Sequence, residues 1–418
     1  MTERHRVSQA QLTDLASGTC APDTLHLLRE AELSRRLLLI RHIADTAPGN
    51  DDAVAVIDMA RERDRESATD VITDPMAGAW LASAVRRLRA AEPTEADLGQ
   101  LAALAAVAAA RCGADADLPM TYHGSTAMLP TIGLVGGLPP DGTVRLLVRG
   151  GRVEASDGRW QHLRRLTGGP QPVVLDALSP YRDVFHAPAR RRLSDADAER
   201  WQHLFTGAGR ILFRYAGERA ARAGAVVRTI VPLRRNKGPL MLSATARHVF
   251  GALGATMPAS AATLGVTLVH EGHHSILNGV LQLEALFDPK DPTLYFAPWR
   301  RDPRPIRGLL HGVYAFLGTA DLMNRLRADP AQERAAEKQF AKICRQLRPA
   351  LDSLRDAPGL TEPGRQFAKG MEEELSRLEM VPVSREAADF ATRSMNDDRA
   401  RWQRRNGRAE SLPRGRPS

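Results

Sequence analysis

The sequence predicts an α+β fold that is predominantly α-helical, with a helical N-terminal part, a small antiparallel β middle part and a helical C-terminal part carrying a metal site. Three observations lead there. Apolar residues recur at helical spacing through the first quarter and the last third of the chain. Between these regions, glycine and proline cut the chain into short apolar runs of strand length. A His-Glu-x-x-His pattern, His270-Glu271-Gly272-His273-His274, lies within a long helical pattern.

In order, residues 1–118 read as a helical region. Leu33, Leu37, Leu38, Ile40 and Ile43 share one face, and Asp74-Pro75 opens a helix that includes Trp80, Leu81, Val85 and Leu88. Ala102 to Arg111 is rich in alanine and suits close helix packing. Residues 119–235 form the mixed middle region. Val144 to Val148, Val173-Val174-Leu175 and Val226 to Leu233 read as strands, and Ser194 to Tyr215 as a helix with Trp201, Leu204, Ile211 and Leu212 inward. None of its glycines builds a nucleotide-binding loop. Residues 236–405 form the metal-binding region. Ser260 caps a helix expected over 260–287, which Pro289 ends. A proline- and arginine-rich loop follows, then a helix from Pro305 to about Arg327. Helices at 329–356, 361–379 and 384–404 complete the region, and 406–418 is expected to be a disordered tail.

The chain has 418 residues and a net charge of +9, and all but five of its basic residues are arginine. The arginines are interspersed with acids along helices, and no DNA- or RNA-binding motif occurs, so nucleic acid is not an expected partner. A compositional bias accounts for the charge, with attraction to an acidic peptide as the functional alternative. No apolar run reaches the roughly 18 residues of a membrane span, and the charged start has no signal core. Cys20, Cys112 and Cys344 show no ligand spacing and read as reduced thiols, so a cytoplasmic location is expected.

His270 and His274 lie one helical turn apart and aim at one point, as ligands of zinc, iron, copper or nickel would. In a zinc peptidase Glu271 would activate water. The wider pattern of such enzymes is missing. Leu277 and Val280 stand where one class has Gly and His, and after Glu284 no glutamate occurs until Glu333. The following helix offers His311, beside Gly312. Three neutral imidazoles leave open positions on iron(II) for a bidentate oxo-acid and dioxygen.

The chain resembles the H-E-x-x-H-motif peptide-modification proteins of ribosomal-peptide biosynthesis, the 2-oxoglutarate-dependent peptide β-hydroxylases. The likeness runs through Leu33–Leu39, Asp74-Pro75…Trp80, Leu129-Pro130-Thr131-Ile132-Gly133, Leu175-Asp176…Pro180-Tyr181-Arg182 and Val231-Pro232-Leu233. Its most specific pieces are Leu268-Val269-His270-Glu271…His274, Ala297-Pro298-Trp299-Arg300…Asp302-Pro303-Arg304-Pro305 and Leu310-His311-Gly312-Val313-Tyr314-Ala315-Phe316. The resemblance implies iron(II) on His270, His274 and His311, with 2-oxoglutarate as co-substrate. It also implies hydroxylation of a side-chain β-carbon in a precursor peptide. Arg304, then Arg300, is the expected partner of the far carboxylate of 2-oxoglutarate, and Glu271 would position substrate. No C-x-x-x-C-x-x-C cluster occurs, so the chain is expected to act alone or with a separate partner enzyme. A zinc peptidase that removes a peptide leader is the alternative.

Overall fold

The computed structural model describes residues 5–46, 49–90, 92, 95–185, 187–235, 242–407 and 411–413. It is 57% helix and 14% strand, which makes the fold α+β and predominantly helical. The N-terminal helices are α1 (Gln9–Ser17), α2 (Pro22–Thr46), α3 (Asp51–Arg63), α4 (Arg65–Ile72), α5 (Pro75–Arg89) and α6 (Glu95–Arg111). Strands β1 (Ala116–Tyr122), β2 (Thr126–Leu129), β3 (Gly133–Gly136), β4 (Gly142–Arg149), β5 (Arg152–Ala155), β6 (Arg159–His162), β7 (Arg164–Leu166) and β8 (Val173–Leu175) follow. Next come α7 (Asp195–Ile211), a π-helical turn over Leu212–Ala216, α8 (Gly217–Ala225), β9 (Thr229–Pro232), β10 (Ser243–Ala244) and β11 (Ala252–Ala255). The last part holds α9 (Ala261–Leu283), β12 (Thr293–Tyr295), β13 (Arg304–Pro305), α10 (Ile306–Leu326), α11 (Glu333–Arg355), α12 (Glu362–Glu379), α13 (Arg385–Asn406) and β14 (Ser411–Pro413).

These elements pack into two units. One comprises residues 29–206 and 227–259, and the other residues 1–28, 207–226 and 260–418. The grouping is discontinuous and cuts across the contiguous segments 1–118, 119–235 and 236–405 expected from composition. Composition tracks secondary structure, whereas a packing unit can recruit helices from distant parts of the chain.

In the sheet-bearing unit, Asp74 starts α5 by accepting the backbone N–H groups of Met76 and Ala77, with Pro75 in the first turn. The alanines from Ala102 to Ala110 in α6 are buried and let β1 approach closely, and a Cβ on Gly99 would lie 2.3 Å from the Thr121 carbonyl oxygen. Strand β4 pairs antiparallel with β1 and β5, and β3 pairs antiparallel with β2 and β6. The third sheet, in the order β10-β11-β9-β8-β7, departs from the antiparallel expectation, because β9 runs parallel to both β8 and β11. The connection from β8 to β9 contains α7 and α8, a crossover long enough for parallel pairing.

In the histidine-bearing unit, α9 packs on α8 and α10, α10 packs on α11, and α1 packs on α12. The Ser260 side chain accepts the N–H of Thr263 at the start of α9. The helix ends at Leu283, four residues short of the expectation. Chain pairing takes over there: the Thr361 hydroxyl bonds the Ala285 carbonyl, and Phe287 bridges to Leu360. Of the expected tail, Ser411–Pro413 pairs with β12, while residues 408–410 and 414–418 lie outside the described residues.

Candidate metal centre

His270 and His274 project from one face of α9, and His311 from α10. The His270 and His274 rings are 4.8 Å apart edge to face, and the His274 and His311 rings are 5.5 Å apart. The structure thus places the three imidazoles named from the sequence near one another. All three rings are half-buried, so each keeps a path to solvent.

Hydrogen bonding assigns one tautomer. The Thr319 hydroxyl donates to the Ala315 carbonyl at 2.8 Å, which leaves its oxygen to accept from His270 Nδ1 at 3.1 Å. His270 thus carries its proton on Nδ1 and has a lone pair on Nε2, the form in which imidazole binds a metal. Between His274 and His311 the two Nδ1 atoms face each other at 3.4 Å, within reach of a hydrogen bond if one of them carries the proton. His311 Nε2 is buried without a hydrogen-bond partner.

Desolvation keeps these rings neutral. Burial, with a smaller contribution from His273, lowers His270 to about 4. Burial and then the neighbouring histidines, His270 first, hold His274 well below the ordinary histidine value. Burial followed by the charges of Arg307 and Arg304 lowers His311 to about 3. Neutral imidazole is the ligating form, so no proton need leave before a cation binds near pH 7.

Among the described residues, no three of His, Cys, Asp and Glu are disposed as a metal-binding group. The residues nonetheless fit a borderline divalent ion by their chemistry. They are neutral imidazoles from two packed helices, one held in the ligating tautomer and one with an unpartnered buried nitrogen. A cation held by all three would take the place of the His274–His311 contact.

Glu271 is 2% exposed, within the packed part of α9. Arg300 and Arg304 both turn to Asp302, with Arg300 Nη2 to Oδ1 at 2.9 Å and Arg304 Nη1 to Oδ2 at 3.1 Å. Arg304 also lies over Gly308, where a Cβ would be 2.8 Å from its Nε.

The sequence reading missed Arg307. It precedes His311 by one helical turn and bonds Asn278 Oδ1 at 3.4 Å, and Asn278 follows His274 by one turn. The guanidinium therefore bridges the two helices one turn from the His274–His311 pair. The spacing of four residues in each helix was the available signal. Also missed was an aromatic wall. The Phe316 ring is 4.9 Å from His270 and 4.9 Å from Trp299, and the indole covers Gly312, where a Cβ would clash at 2.4 Å. His273, inside the motif, faces elsewhere. Its Nδ1 bonds the Val269 carbonyl, and its ring packs against Tyr314 and the bare backbone of Gly318.

No protein-family model matches the chain, and no curated protein matches it at a significant level.

Proposed function

We propose that this protein is an iron(II)- and 2-oxoglutarate-dependent oxygenase that hydroxylates a side-chain β-carbon in a ribosomally made precursor peptide. The observation that carries this reading is the ring of His311 beside that of His274. Where an H-E-x-x-H hydrolase would add a carboxylate, this site offers a third neutral imidazole. Iron(II) held there by His270, His274 and His311 supplies the dioxygen chemistry.

The remaining roles belong to the chain's own side chains. Thr319 fixes the His270 tautomer. Arg304, whose charge reaches His311, pairs with the far carboxylate of 2-oxoglutarate, with Arg300 as the second choice. Trp299 and Phe316 shield one side of the site from water, and Glu271 orients the peptide. Among the described residues no helix is long and apolar enough to cross a membrane, and all three cysteines are buried and unpaired. Both observations are consistent with work on a nascent peptide in the cytoplasm, alone or with a separate biosynthetic enzyme.

The test is reconstitution with Fe(II) or Zn(II) under anaerobic conditions. Succinate should form from 2-oxoglutarate with iron and dioxygen only, and His311→Ala should lower iron affinity by more than about tenfold. Peptide cleavage with zinc that needs no 2-oxoglutarate, and that Glu271→Gln abolishes, would overturn the reading in favour of a peptidase.

A further inference from the structure

A cleft of about 890 Å³ in the sheet-bearing unit is bordered by Arg190, Arg191, Arg200, Arg234 and Arg235. These guanidiniums come from three places in the chain: the segment before α7, α7 itself and the segment after β9. The fold gathers them. Arg190 N–H bonds the Pro232 carbonyl, Arg234 N–H bonds the Pro188 carbonyl, and Ala189 bridges to Leu233, so the two segments are locked side by side. Among the described residues only Arg190 of the five has a carboxylate partner, Asp197 at 2.7 Å. The side chains of Arg191, Arg200, Arg234 and Arg235 are exposed and have no ion pair among the described residues.

We propose that this cleft binds an acidic peptide segment. Four unpaired guanidiniums held in one concavity repel each other, and an anion relieves that repulsion. The planar guanidinium fork matches a carboxylate, and the cationic lining among the described residues is all arginine. The rest of the lining, including Leu233, Met257 and Pro258, is mostly apolar and suits the methylene groups of glutamate side chains. Among the described residues no Phe, Tyr or Trp lines the cleft. Single-stranded nucleic acid is gripped by stacking its bases on aromatic rings, so the lining favours a peptide. The inference rests on this unit alone and does not depend on the metal-site reading.

The experiment measures fluorescence anisotropy of labelled oligoglutamate with the full chain at low and physiological salt. Oligoglutamate is expected to bind, and oligoglutamine is not. Affinity should fall at the higher salt, and should fall by at least about tenfold in the Arg234→Gln/Arg235→Gln and Arg191→Gln/Arg200→Gln double variants. These positions are exposed, and unchanged circular dichroism confirms that the variants fold. An Arg41→Gln/Arg385→Gln control removes the same net charge at positions that are not among the lining residues and should leave binding unaltered. Several outcomes overturn the proposal: no oligoglutamate binding, or equal weakening by the control. Tighter binding of oligothymidylate, lost in the same cleft variants, would make the site a nucleic-acid groove. Tripolyphosphate that binds where oligoglutamate does not would make it a phosphate site.

Discussion

Thr319 is a small side chain with a large effect expected on the site. Its hydroxyl proton goes to Ala315, so only its lone pair is left for His270. Thr319→Val keeps the volume and removes the acceptor, and His270 can then place its proton on Nε2. Metal affinity, read by competition with a chelator, should fall by about 10–100-fold while the melting temperature changes little. If affinity is unchanged, the tautomer is not set by this contact. A second residue reports on the other unit. Asp176, 1% exposed, accepts the N–H groups of Leu178 and Ser179. Desolvation nonetheless raises its pKa from 3.8 to about 6. Between those values the unfolded chain has released the proton and the folded chain still holds it, so stability falls as pH rises through this window and then levels off. Two pKa units correspond to roughly 3 kcal/mol. Asp176→Asn retains the acceptor oxygen and cannot ionise, so its stability relative to wild type should grow by about that amount from pH 4 to pH 7. Urea titrations at the two pH values measure it, and a constant difference would show that Asp176 ionises in the fold without penalty.

At the scale of elements, the metal helix depends on close approach to its neighbours. A Cβ on Gly272 would lie 2.0 Å from the Ala223 carbonyl oxygen, so α8 and α9 touch backbone to backbone. Gly272→Ala must push α8 away or bend α9, and should cost about 1–3 kcal/mol in a denaturant titration. A neutral result would mean that α8 yields freely. This contact also marks what the sequence could and could not reveal. Ser260 and the apolar spacing from Leu264 onward located the start of α9, because capping and amphipathicity are local. Its end at Leu283 was not legible, because it is set by pairing of Ala285 and Phe287 with Thr361 and Leu360 more than seventy residues away. The same division holds within the site. The i, i+4 histidines can be read from spacing. The partners of the nearby guanidiniums cannot, since Arg300, Arg301, Arg304 and Arg307 crowd one short stretch. Asp302 engages two of them and Asn278 the fourth only in three dimensions.

At the scale of the whole molecule, the histidine-bearing unit is assembled from three separate segments. The H-E-x-x-H motif and His311 lie within the long C-terminal segment, whose helices pack against the other two segments. Helix α1 lies on α12, where Gly370 meets Ala16, and α8 lies on α9 at Gly272. Arg219 of α8 is ion-paired with the buried Glu374 of α12, and the Cys20 thiol contacts the Tyr314 hydroxyl of α10. A fragment starting at Ser260 would lose α1 and α8 together. It would expose Leu268, Met371 and Leu375, which are fully buried in the whole chain, and would leave Glu374 without Arg219. Glu374 keeps Arg377 at 2.6 Å, so the larger loss is apolar burial, set against a total stability of about 5–15 kcal/mol for a typical protein. The 260–418 fragment is therefore expected to retain helical circular dichroism but to melt without a cooperative transition, and to bind no metal that the full chain binds. A fragment that melted sharply and bound metal like the intact protein would show that the motif-bearing segment is autonomous and that α1 and α8 merely cover it.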